Sequence, residues 1–162
     1  MATTNQTKIT AESDKQELFI FREFDAPREL VFRTFVEPKL LAQWLGPRRL
    51  TTKFVKFEPW TGGSYHYTQA ELNGNEYTFH GVFHEIEAAE KIVQTFEFRF
   101  MEHKGSVSLD TALFEELPIK RTKLTIQSVF QSVKKRNEML QSNMEKGVNE
   151  GHSRLDELLA SL

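Results

Sequence analysis

Cysteine is absent from all 162 residues, which excludes disulfide staples, thiolate zinc sites and cysteine nucleophiles together. The absence fits a reducing compartment, so a cytoplasmic location is expected. Long apolar runs are missing as well. No stretch approaches the roughly 20 residues a membrane-spanning helix requires, so membrane insertion is not expected. Met1 to Ala11 has no basic segment followed by an apolar one, and no secretory signal is visible. Charge of one sign is also scarce: 21 Lys and Arg against 23 Asp and Glu leave a net charge of -2. Without a concentrated basic face, no nucleic-acid partner is expected. The motif inventory is equally thin. There is no G-x-S-x-G elbow, phosphate-binding loop, dinucleotide fingerprint or H-E-x-x-H, so no catalytic residue and no cofactor is assigned.

What remains is an ordinary globular chain, 39% apolar and 27% charged, of a size that suits one domain. One count stands out: 14 Phe beside 2 Trp and 3 Tyr. Either the core is unusually aromatic or part of that surface lines a cavity.

Residues 1–16 are polar without an apolar period and read as a flexible lead-in; a single domain then spans 17–162. Glu17 to Phe24 has the aromatic and β-branched character of a strand. Asp25-Ala26-Pro27 marks a helix start, Pro38 restarts a second short helix, and Gly46-Pro47 stops it. The period then changes. Strands are expected near 54–57, 64–67, 77–86, 92–100, 107–114 and 124–130. Gly62-Gly63 and Asn73-Gly74 supply hairpin turns between them. Six strands and the first make seven. One long helix, about Lys134 to Ser161, ends the chain, with Leu140, Met144, Val148, His152, Leu155, Leu159 and Leu162 on one face. Gly147 and Gly151 interrupt it, each costing roughly 1 kcal/mol relative to Ala. Glycines in such places allow close approach or leave room. The basic run Lys134-Lys135-Arg136 reads as a solvated helix end, and Glu115-Glu116 as solvated carboxylates.

The order of strand, two short helices, six antiparallel strands and a long helix is an α+β pattern. A strongly curved sheet gripping that helix would bury its stripe and leave a pocket. His80 and His84 share a strand face but lie about 13 Å apart, too far to ligate one metal; His66 sits on a neighbouring strand with no third ligand placed. These read as sheet histidines, and no metal is assigned. His152, on the helix stripe, is either a satisfied core histidine or a polar anchor or acid–base group in a cavity. Phe96, Phe98 and Phe100 alternate onto one sheet face, as core packing or, with Trp44, Trp60, Tyr65 and Tyr67, as an aromatic pocket wall.

Five segments carry a resemblance to a known family. They are Phe24-Asp25-Ala26-Pro27-Arg28-Glu29-Leu30-Val31-Phe32, Trp44-Leu45-Gly46-Pro47, Glu58 with Gly62-Gly63, Gly81 to Ile86, and Gly147 to Leu159. Over residues 17–162 the chain resembles the START-like, or birch-pollen-allergen-like, superfamily. Within it the chain is similar to the branch named for homology to the activator of the heat-shock-protein-90 ATPase. The resemblance implies a helix-grip fold: a curved seven-stranded antiparallel sheet around the C-terminal helix. The chain departs from the branch at Leu45, where a second aromatic is usual, at Trp60, where a basic residue is usual, and at Val148, where Trp or Met is common. These changes reshape the expected pocket end.

The resemblance spans lipid and hormone binding, polyketide cyclisation and co-chaperone action, so fold alone selects none of them. The leading expectation is non-enzymatic binding of a small apolar or amphipathic molecule between sheet and helix. Its wall residues would be Trp44, Trp60, Tyr65, Tyr67, Phe83, Phe96, Phe98, Val148 and His152, with His152 as polar anchor. The alternatives are a cyclase- or dehydratase-like enzyme using His152, and a module that docks on a chaperone ATPase, the less favoured partner. If the chain self-associates, a two-fold homodimer is the default.

Overall fold

The computed structural model describes residues 5–99 and 105–162, so the expected strand position of Phe100 lies outside the described residues. The elements run in chain order as β1 (Lys8–Thr10), β2 (Glu17–Phe24), α1 (Arg28–Val36), α2 (Pro38–Trp44), β3 (Thr51–Phe57), β4 (Ser64–Ala70), β5 (Glu76–Glu87), β6 (Lys91–Phe98), β7 (Val107–Leu117), β8 (Arg121–Val129), α3 (Val133–Gln141) and α4 (Met144–Ser161). All strands join one antiparallel sheet in the order β1-β2-β8-β7-β6-β5-β4-β3. The sheet is curved and open, and the helices cover its inner face.

Period-2 alternation decides which side chains reach that face. On β2, Leu18, Ile20, Arg22 and Phe24 are buried, and on β4 Tyr65, Tyr67 and Gln69. The hairpins turn where glycine tolerates positive φ: Gly62 at 89° and Gly74 at 93°. Pro38 opens α2 at a position where its missing N–H is not needed, while Pro27 caps α1 and its carbonyl accepts from Val31 at 3.0 Å.

Three sequence expectations change. The sheet has eight strands rather than seven, because Lys8–Thr10 pairs with Phe19–Phe21 along the edge of β2. Three residues are too short to show a period, and residues of the expected lead-in are tied down by tertiary bonds. The Thr7 hydroxyl meets His152 Nδ1 at 2.7 Å, and Asn5 Oδ1 accepts from Arg121 at 3.0 Å. The long C-terminal helix is two helices. Asn143, at φ 67°, sits in the left-handed region that Asn enters more readily than most residues, and Ser142 turns its hydroxyl back to the Met139 carbonyl at 2.6 Å. Arg136, expected at a solvated end, is buried, and its guanidinium donates to the carbonyls of Glu12 and Glu17.

Two apolar clusters form under the helices. The larger joins α1, α2, α4 and most of the sheet, and includes Phe24, Val31, Trp44, Phe114, Leu124 and Leu155. The smaller gathers Leu18, Ile20 and Phe130 beneath α3 and the start of α4.

Candidate functional site

A cavity of about 350 Å³ lies between the inner face of the sheet and the helices. That is the lower end of the range for small-molecule sites. Its wall is mostly aromatic and aliphatic. Trp44 closes one side from α2, held by a bond from its indole N–H to the Thr34 carbonyl at 2.9 Å. Tyr65 and Tyr67 project from β4, Phe83 from β5 and Phe96 from β6, while Val148 and His152 descend from α4. The rings pack on one another: Tyr65 and Phe83 lie 5.2 Å apart, and Phe79 and Phe96 5.5 Å.

Seven of the nine residues expected in the wall therefore converge on one space. Two do not. Phe98 shares the inner face with Phe96 but lies farther along β6 and lines an adjoining cleft of about 960 Å³. Trp60 is 57% exposed and lines neither space, which corrects its expected place in the wall. It sits in the turn between β3 and β4, where no strand alternation sets a direction. Cavity and cleft share Phe96, Ser108, Phe130, Met139, Met144 and Gly147, so the cleft adjoins the cavity beside the break between α3 and α4.

The two helix glycines differ. A Cβ on Gly151 would stand 3.2 Å from the Trp44 carbonyl oxygen and 3.4 Å from the Gly46 nitrogen, so glycine lets α4 pack closely on the end of α2. Gly147 meets only Pro47, at 3.8 Å, and borders the cavity. Gly81 has a related task in the sheet. A Cβ there would press into the Tyr65 hydroxyl and the Thr95 carbonyl; without it the hydroxyl crosses β5 and donates to Thr95 at 2.6 Å.

The polar groups of the cavity form a band that the sequence reading did not single out. Gln94, Asp110 and Ser128 stand directly opposite one another on β6, β7 and β8, and Ser108 lies on the same face as Asp110. Burial pushes the Asp110 carboxyl up to about 6, although the hydroxyls of Ser128 and Ser108 pull it down. Its Oδ1 is buried without a hydrogen-bond partner. Strand parity points the other way in the residues: Val107, Leu109, Thr111 and Leu113 are the more apolar alternate set, yet Leu109 and Leu113 are exposed while Ser108, Asp110, Ala112 and Phe114 face the core. Burial also raises the Tyr65 and Tyr67 phenols, so both stay neutral.

His152 is pushed down to about 3, first by burial and then by the nearby Arg22 guanidinium. Its ring meets Phe24 edge-on at 5.6 Å and tilts toward Trp44 at 6.5 Å. Thr7 fixes Nδ1, so the imidazole is a neutral polar group in an aromatic setting. The other histidines lie elsewhere. His66 and His80 pair across β4 and β5 on the outer face, their rings 6.4 Å apart, and His80 Nε2 is hydrogen-bonded to the Glu97 carboxylate. Among the described residues no three His, Asp or Glu gather into a group that could hold a metal. No helix is long and apolar enough to cross a membrane, among those same residues.

An antiparallel sheet that grips a C-terminal helix over an apolar cavity defines a helix-grip domain. The chain belongs to the Activator of Hsp90 ATPase homolog 1-like family, whose profile matches residues 25–160. Solved structures share the fold over nearly the whole chain. A protein from Arthrobacter aurescens is 25% identical with a TM-score of 0.86, over 96% of this chain and 92% of that one. A Rhodobacter sphaeroides protein is 22% identical with a TM-score of 0.87, over 97% and 99%. The AHSA1 protein from Silicibacter pomeroyi is 18% identical with a TM-score of 0.74, over 90% and 98%. No curated protein matches the chain.

Proposed function

We propose that the protein is a non-enzymatic, cytoplasmic binder of a small apolar or amphipathic molecule, held in the cavity between the sheet and α4. The observation that carries this reading is the cavity itself: about 350 Å³, walled by Trp44, Tyr65, Tyr67, Phe83, Phe96 and Val148, with a few polar groups turned inward. A packed core leaves few voids larger than a water molecule, so a space of this size is a feature of the design. His152 is a neutral anchor rather than a base. With its pKa near 3 it holds almost no proton at neutral pH and is far from the range that suits acid–base catalysis. Thr7 is within reach of Nδ1, but no carboxylate is hydrogen-bonded to the ring among the described residues. That favours binding over a cyclase- or dehydratase-like reaction.

The test is a thermal-shift screen of lipids and aromatic metabolites. A true ligand at about 100 times its dissociation constant stabilises the fold by about 2.7 kcal/mol. Val148→Trp, which puts a large ring into the cavity, should abolish that shift while the protein stays folded. A panel that shifts nothing, or a shift that survives Val148→Trp unchanged, contradicts the reading. Stimulation of a chaperone's ATP hydrolysis by the purified protein would instead support the docking role.

A further inference from the structure

Resting on the cavity as a binding site, we propose that its ligand is an apolar molecule carrying a neutral hydroxyl, phenolic or alcoholic, that donates to the Asp110 carboxylate. Donors and acceptors do not balance around this carboxylate. Within the polar band, the Tyr65 hydroxyl is already committed: it donates to the Thr95 carbonyl at 2.6 Å and accepts from Gln94 Nε2 at 3.2 Å. Ser108 and Ser128 each bring a single hydroxyl hydrogen toward the carboxylate. Asp110 offers two oxygens with about four acceptor sites. Oδ1 is buried and unpartnered, and because the residue lines the cavity a turn of the carboxyl about its terminal bond presents that oxygen to a ligand. The second N–H of Gln94, the residue opposite Asp110, does not reach Oδ1 either, so what the carboxylate lacks is a donor.

Charge narrows the class further. Of the described residues lining the cavity, Asp110 alone is ionised at neutral pH; no Lys or Arg borders the space, and His152 and both tyrosines are neutral there. An anionic group inside the cavity would meet a like charge with no bordering cation; Arg48, Arg49, Lys135 and Lys146 line the adjoining cleft instead, beyond the reach of a compact ligand seated at Asp110. An ammonium ligand would have to shed its water to form a buried ion pair, whose attraction is commonly cancelled by that desolvation. A hydroxyl satisfies the carboxylate through a charge-assisted bond without bringing in a second charge. The apolar body then lies against the rings of Tyr67, Phe83 and Phe96.

The experiment measures calorimetric affinities at neutral pH for four probes of one shape: naphthalene, naphthol, naphthoate and naphthylmethylamine. Naphthol should bind at least about tenfold more tightly than naphthalene, and naphthoate more weakly than naphthalene. In Asp110→Leu the advantage of naphthol should fall to within about twofold. In Asp110→Asn, whose neutral amide oxygen can still accept, part of it should remain. If Asp110→Leu does not fold by circular dichroism, Asp110→Asn and the wild-type series decide. Equal binding of naphthalene and naphthol, or tightest binding of the acid or the amine, overturns this inference and leaves the cavity reading intact. So does a naphthol advantage that persists undiminished in the folded Asp110 variants. Failure of all four probes to bind overturns both readings.

Discussion

The two ends of the inner face treat buried polar groups in opposite ways. Under α1 and α2 the buried threonine hydroxyls are absorbed by the backbone: that of Thr122 donates to the Ala26 carbonyl at 2.7 Å, and that of Thr34 to the Val31 carbonyl at 2.5 Å. Around them Phe114 packs on Phe32 and Phe35 at 5.2 and 5.0 Å. Across the sheet, under α4 and the break before it, a carboxylate is buried with one oxygen left without a partner, beside empty space. The first arrangement stabilises the fold. The second costs stability, and costs of that kind concentrate at functional sites.

The largest expected effect falls at the packed end. Phe114→Ala should lower stability by about 3–5 kcal/mol in denaturant unfolding, because a fully buried ring is replaced by a void. At the cavity end the sign reverses. Asp110→Asn should stabilise the unliganded protein at pH 7.5 by about 2–3 kcal/mol, since a carboxyl raised from 3.8 to about 6 disfavours folding wherever it is ionised. A raised carboxyl pKa means the penalty is absent below about pH 4, grows through pH 6 and is complete above it. The gain should therefore shrink as the pH is lowered toward 4. His152 works in the other direction: its pKa falls from 6.5 to about 3, so its contribution is present above pH 6.5 and is lost on acidification. Asp110→Asn should accordingly lose stability between pH 7 and 4 more steeply than the wild type. A wild type and variant with parallel pH profiles would remove the contrast between the two ends.

Smaller effects sharpen the comparison. Thr122→Val should cost about 1–2 kcal/mol, because it leaves the Ala26 carbonyl unpaired in a buried site. At the helix break, Asn143→Ala should cost about 1 kcal/mol and Asn143→Gly should be neutral or slightly stabilising, as the left-handed backbone requires. Thermal unfolding of the two variants distinguishes a true break from one that the helix could heal.

Much of this architecture was legible in the residues because alternation and helical spacing report which face a side chain takes. Tyr65, Tyr67, Phe83 and Phe96 reach the cavity by strand parity, and Val148 and His152 by helical phase. Parity is silent about position along a strand, which is why Phe98 lands on the expected face but beside the cleft. It is silent outside regular structure too, and Trp60 in a turn faces solvent. The break at Asn143 escaped because the apolar stripe continues through it: Leu140 and Met144 pack on the same small cluster from two separate helices. Asp110 was hidden for a different reason. A lone carboxylate in a strand ordinarily faces water, and only the partners opposite it, Gln94 and Ser128, reveal that this one does not.

The measurement that bears most directly on the cavity as a binding site is a titration of the isotope-labelled protein with naphthol, followed by amide and methyl resonances. Saturable shifts confined to Tyr65, Phe83, Phe96, Val148 and His152, and lost in Val148→Trp, are the expected result. No saturable shift, or shifts centred on His66 and His80 of the outer face, would contradict it.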